Sequence, residues 1–206
     1  WYLNHKEGEM AEAKSKGNSP ADLAYEFGKE YEKRATNCCQ STIAALQDSI
    51  DFVPEEDELL RAGSAFAGGL GFTNQGLCGA LVGAVMVIGR LYGRSRRKFQ
   101  EHAKLPVNQL DFVNEGAPAW DLAYEMFERY MMEYGSPLCK DVMTCVFGSH
   151  PDRIRPTSPV RYEWTRRFGG HESGGCCEVV GKAARWAAEL ILRQGPPKEE
   201  ADGGNA

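Results

Sequence analysis

The sequence predicts an all-α fold, a helical bundle, and three observations predict it. Apolar residues recur at helical spacing in several long segments, helix-capping residues stand where those segments begin, and no segment alternates apolar and polar residues as a strand would. With 206 residues and 42% hydrophobic content, the chain is long enough to bury a substantial core.

Ser19 reads as an N-cap, Pro20 as the first helical residue and Asp22 as first-turn acid, after which Leu23, Phe27 and Tyr31 share one face. Asn37 can cap a second helix through "CCQSTIAALQDSI", with Ile43, Leu46 and Ile50 together, and "PEEDELLRAGSAF" reads as a third from Pro54. Further helices are expected at about 76–92, 118–134, 138–146, 160–167 and 177–193. The ends, residues 1–18 and 195–206, are polar and rich in breakers, and read as loose segments flanking one helical domain over 19–194.

That domain reads as a repeat of 19–95 in 118–194. "DLAYE" occurs at Asp22–Glu26 and again at Asp121–Glu125, and Cys78 and Cys177 are separated by the same interval. "FAGGLG" from Phe66 and "FGGH" from Phe168 each place a Phe and paired glycines upstream of a thiol. The expectation is a duplication whose halves pack about a pseudo-twofold and bring their cysteines to one place.

Composition excludes some classes. A net charge of −5 gives no electrostatic reason to expect nucleic acid as the partner, so "GRSRRKF" and the arginines from Arg153 to Arg167 read as solvated faces. The most apolar run, 76–89, is too short to span a bilayer and reads as a core helix. The chain starts at Trp1, which leaves room for an upstream targeting segment and leaves the compartment open between cytoplasm and export to the periplasm. Seven cysteines without a C-x-x-C argue against a secreted disulfide framework and for reduced or metal-bound thiols.

The cysteines stand near expected helix starts: the Cys38–Cys39 pair, Cys78, Cys139 and the Cys176–Cys177 pair. There, free N–H groups and the helix dipole should lower thiol pKa values and favour thiolate, the metal-ligating form. Four soft sulfur donors suit zinc or an iron–sulfur cluster, and the glycines around Cys78 would let backbone approach a cofactor. Cys145 reads as a small core hydrophobe, and Met126, Met131, Met132 and Met143 as core filler. His171 reads as a solvated loop residue, and His5, His102 and His150 form no constellation.

From Phe27 to Leu192 the chain resembles the redox-active protein family named for the pattern C-GCAxxG-C-C. "NCCQS" is similar to its opening segment, "FAGGLG" followed by "CGALVG" to its central signature, "YGSPLCKDV" to its third cysteine segment and "CEVVGKAARWAAELI" to its closing helix. The resemblance selects Cys38, Cys78, Cys139 and Cys177 as metal ligands and Gly79, Ala80 and Gly83 as cofactor-approaching backbone. It implies a four-cysteine redox or iron–sulfur module, related to one found beside haem domains in split-Soret cytochromes; without a C-x-x-C-H this chain has no c-type haem attachment site. Cys39, Cys145 and Cys176 are additions to the family pattern.

The function expected is an electron carrier or redox-sensing accessory protein, rather than a stand-alone enzyme, with one iron–sulfur cluster, [2Fe–2S] favoured over [4Fe–4S]. A redox partner protein is implied and a homo-oligomer is allowed. The competing readings are a thiol–disulfide oxidoreductase using the same cysteines and a structural zinc protein.

Overall fold

A computed structural model of the chain describes residues 17–106, 109, 117–151, 155, 157 and 174–197. The fold is all-α, with eight helices among the described residues. They are α1 (Pro20–Ala35), α2 (Cys38–Ser49), α3 (Asp57–Gly63), α4 (Gly79–Tyr92), α5 (Arg96–His102), α6 (Ala117–Tyr134), α7 (Cys139–Phe147) and α8 (Cys176–Gln194), with a 3₁₀ turn over Ser64–Phe66.

Local chemistry explains most starts and stops. The Ser19 hydroxyl accepts from the Asp22 N–H, and the Asn37 carboxamide oxygen from the Gln40 N–H. Each cap satisfies a donor that the first helical turn leaves free. Helix α3 starts at Asp57 instead of Pro54 and tightens into the 3₁₀ turn. Helix α4 starts at Gly79 instead of Gly76 because the residues before it are committed elsewhere: Leu77 pairs with Leu138 in an isolated antiparallel bridge. Sequence periodicity missed α5, whose basic run conceals a helix that Ser95 caps by accepting from the Lys98 N–H. The expected helix at 160–167 lies outside the described residues.

Helix α8 is the centre of the bundle and packs on α1, α2, α4 and α6. Its small residues Ala183, Ala184, Ala187 and Ala188 are buried together with Val179, Val180, Leu190 and Ile191, so more than one face meets protein. Small side chains there allow the close crossing with α1. A Cβ at Gly181 would stand 2.9 Å from the Tyr25 carbonyl oxygen, and one at Gly28 3.1 Å from that of Val180. The rim of the crossing is polar: Lys29 pairs with Glu178 at 2.7 Å and Arg185 with Asp22 at 2.8 Å, the Arg185 guanidinium lying over the Tyr25 ring. Such partly exposed pairs orient the helices more than they stabilise them.

Helix α2 packs on α4 and α8 in turn, and the Gly83 face of α4 meets the Cys39 carbonyl and Thr42. Helix α6 closes the bundle against α4 and α8 through Leu122, Met126 and Tyr130. Met126 and Met143 are core residues as expected, whereas Met131 and Met132 are exposed, because α6 turns that face away from the bundle. Among the described residues no helix is long and apolar enough to cross a membrane.

Candidate redox thiol site

The site is built where α2, α4, α7 and α8 begin. Cys38 is the first residue of α2, Cys78 the N-cap of α4, Cys139 the first residue of α7, and Cys176 and Cys177 the first two of α8. Thus every expected ligand position lies at a helix start.

A short cross-connection holds two of those starts side by side. The Cys78 N–H donates to the Pro137 carbonyl at 2.8 Å and the Cys139 N–H to that of Gly76 at 2.9 Å, on either side of the Leu77–Leu138 bridge. The Lys140 N–H adds a third bond, to the Asn74 carbonyl. Residues far apart in sequence are thereby fixed in register by backbone alone.

The loop between the 3₁₀ turn and Cys78 has an unusual conformation. Gly68, Gly69, Leu70, Gly71 and Phe72 are five consecutive residues with φ between 55° and 73°, and Asn74 follows at 60°. Glycine adopts such backbone freely, but leucine and phenylalanine do so at a cost. The turn folds back on itself, Asn74 N–H to Gly68 carbonyl at 2.9 Å and Gly76 N–H to Gly69 carbonyl at 3.1 Å. Its glycines meet the site directly: a Cβ at Gly69 would stand 2.7 Å from Cys139 Cβ, and the Gly68 N–H favours the Cys38 thiolate.

Gly79 and Gly83 have different duties. Gly79 lies against the Cys38 sulfur, with the Phe66 carbonyl oxygen 2.9 Å from where a Cβ would be. Gly83 is one turn on, where a Cβ would stand 2.4 Å from the Cys39 carbonyl oxygen, so it serves the α2–α4 crossing. Ala80 contributes its N–H, which together with that of Leu81 and the Tyr130 hydroxyl favours a thiolate at Cys78.

Those donors do not win. Burial pushes the Cys38, Cys78, Cys139 and Cys176 thiols above the ordinary range, so the expectation that helix starts would lower them is overturned. The physical reason is that loss of water penalises a thiolate more than a few N–H groups repay. Neighbouring negative charge adds to this: Cys38 and Cys176 each feel Glu32, Cys78 and Cys139. All seven cysteines are free thiols.

The two vicinal pairs divide their members. Cys39 is fully buried in the core, its sulfur 3.9 Å from that of Met86, and its thiol is pushed up to about 12. Cys38 is the partner that meets Gly68 and Gly79. In the second pair, Cys176 is acted on by Cys78 and Cys139, whereas Cys177, buried and pushed up to about 11, is acted on chiefly by Glu32, Lys33, Glu178 and Lys29. Cys145 is exposed on α7, not in the core as expected. Phe168 to His171 lie outside the described residues.

Glu32 escaped the sequence reading. It is 3% exposed near the end of α1, and burial raises its carboxyl to about 8 although Ser41 Oγ donates to it at 3.1 Å. Its place in α1, one residue after Tyr31 of the Leu23, Phe27 and Tyr31 face, could not separate a solvated acid from a buried one.

Among the described residues, no group of three or more His, Cys, Asp or Glu side chains stands close enough together to hold a metal ion. The donor chemistry nevertheless fits a thiophilic cofactor: N–H groups face Cys38 and Cys78, the Tyr130 hydroxyl reaches the Cys78 sulfur, and the buried hydroxyl of the neighbouring Tyr134 has no hydrogen-bond partner among the described residues.

No curated protein and no solved structure matches the chain. A family model does, over residues 36–190, which spans all four thiol-bearing helix starts. The chain belongs to the family described as putative redox-active protein (C_GCAxxG_C_C).

Proposed function

We propose that this chain is an iron–sulfur redox module, an electron carrier or redox-sensing accessory protein whose thiols come from both halves of a duplicated helical domain. The observation that carries the reading is the placement of Cys38, Cys78, Cys139 and the Cys176–Cys177 pair at four helix starts, two of them joined by the Leu77–Leu138 bridge, with backbone N–H groups of Gly68, Ala80 and Leu81 aimed at two of the sulfurs. When bound, a cluster supplies one-electron redox chemistry.

Cys38, Cys78 and Cys139 would ligate it, with the fourth thiol from the start of α8. The family resemblance selects Cys177 for that role; the electrostatic neighbourhood, in which Cys78 and Cys139 act on Cys176, favours Cys176. Metal entry would take the thiol protons, which burial otherwise retains. The Gly68, Ala80 and Leu81 N–H groups stabilise sulfur charge, and Gly79 leaves the space that the Cys38 sulfur needs.

Anaerobic purification with visible absorption and iron, sulfide and zinc analysis tests the reading. Brown protein with about two irons and two sulfides per chain supports [2Fe–2S]. Colourless protein containing zinc leaves only the structural reading, and colourless metal-free protein that forms reversible disulfides returns the thiol–disulfide one. Cys176→Ser and Cys177→Ser, compared for metal content, decide the fourth ligand.

A further inference from the structure

Tyr130 and Tyr134 stand one turn apart on α6, so their rings share a face. Their centroids are 5.3 Å apart, and Trp186 of α8 packs against both, at 5.8 Å and 6.4 Å. This aromatic block fixes where the two phenols point. Tyr130 is fully buried, and its hydroxyl donates to the Cys78 sulfur at 3.8 Å. The Tyr134 hydroxyl is also buried, yet it has no hydrogen-bond partner among the described residues. Its ring packs on that of Tyr130, whose hydroxyl reaches the Cys78 sulfur, and this places Tyr134 on the Cys78 side of the site.

A buried hydroxyl without an acceptor costs free energy and is uncommon in folded proteins. Phenylalanine in the same place would keep the ring packing on Tyr130 and Trp186 and lose only the unpaired group. The hydroxyl therefore lacks, among the described residues, the acceptor that its burial calls for.

We propose that Tyr134 is a positioning residue whose hydroxyl is a reserved donor to a sulfur acceptor created when the thiol site is loaded, either a ligand thiolate or a cluster sulfide, and that with Tyr130 it forms a two-phenol clamp on the Cys78 side of the site. The identity of the acceptor as a cluster sulfide rests on the iron–sulfur reading; the clamp itself requires only that loading creates anionic sulfur. Hydrogen bonds to ligand sulfur favour the more negative, reduced state of a redox centre, so both phenols hold the potential up.

The test uses the full chain with Tyr134→Phe, Tyr130→Phe and, as an exposed control, Tyr124→Phe. Denaturant midpoints are measured metal-free and after loading with iron and sulfide or with Zn²⁺ alone. Metal-free Tyr134→Phe should have a higher midpoint than wild type, because the unpaired hydroxyl is gone; after loading, the order should reverse. The iron-loaded Tyr134→Phe and Tyr130→Phe proteins should keep full iron and sulfide but show a more negative reduction potential, with Tyr124→Phe unchanged. A midpoint for Tyr134→Phe that moves in the same direction in both states, or does not move in either, overturns the proposal, as does an unaltered potential. A wild-type chain that takes Zn²⁺ but no iron removes the iron–sulfur reading while the reversal is still read on the zinc protein. A chain that takes neither removes both.

Discussion

The Cys38 sulfur occupies the space beside Gly79 so closely that a β-carbon there would stand 2.3 Å from it. Two helix starts, α2 and α4, therefore meet with sulfur on one side and no side chain on the other. Gly79→Ala should displace Cys38 or the Phe66 carbonyl, and metal content is the readout: a marked loss is expected. In contrast Gly89→Ala, exposed on the same helix with nothing within 4 Å, should stabilise the fold by about 0.5–1 kcal/mol and leave metal content intact. Equal metal content in the two variants would show that Gly79 is not needed for the site.

Gly83→Ala should destabilise, by about 1–3 kcal/mol, because its methyl would meet the Cys39 backbone carbonyl, which cannot swing away as a side chain could. Chemical denaturation of the metal-free protein checks this. A neutral result would mean that α2 and α4 can separate without penalty.

Glu32 makes stability pH-dependent in a specified direction. Its folded carboxyl titrates at about 8 against an ordinary 4.5, so the folded state holds a proton that the unfolded chain releases in between. The contribution is fully present below 4.5 and is lost as pH rises through about 8, amounting to a few kcal/mol. Glu32→Gln should flatten that part of the metal-free stability profile, measured by denaturant midpoints from pH 5 to pH 8.5. An unchanged slope would place the pH dependence elsewhere.

Leu70 has φ of 73° and is 56% exposed, so it combines backbone strain with little compensating burial. Leu70→Gly should stabilise the turn by about 1 kcal/mol. Leu70→Val, β-branched, should destabilise it, and thermal melts that rank the two the other way would contradict the strain argument.

Metal removal should loosen both helices that follow the central and last thiols, if both halves contribute ligands. Hydrogen exchange on metal-free and loaded protein is expected to show protection lost in α4 and α8 together. Loss confined to one of them would mean that the other half supplies no ligand.

The helices were largely legible in the sequence, because capping and apolar periodicity are local. Ser19 before Pro20, Asn37 before Cys38 and the spacing of Leu23 and Phe27 determine α1 and α2 before any tertiary contact forms. The motif order around Cys38, Cys78, Cys139 and Cys177 likewise sufficed to place the family. Tertiary structure decided what spacing cannot encode. Pairing of Leu77 with Leu138 delayed the start of α4, since residues committed to a bridge cannot enter a helix. Burial decided that the site thiols titrate high although they sit at helix starts, and that Glu32 is a core carboxyl. Adjacent residues on a helix point about 100° apart. Which thiol of Cys38–Cys39 or Cys176–Cys177 faces Cys78 therefore depends on how α2 and α8 are rotated in the bundle, and that rotation is set by packing against helices distant in sequence.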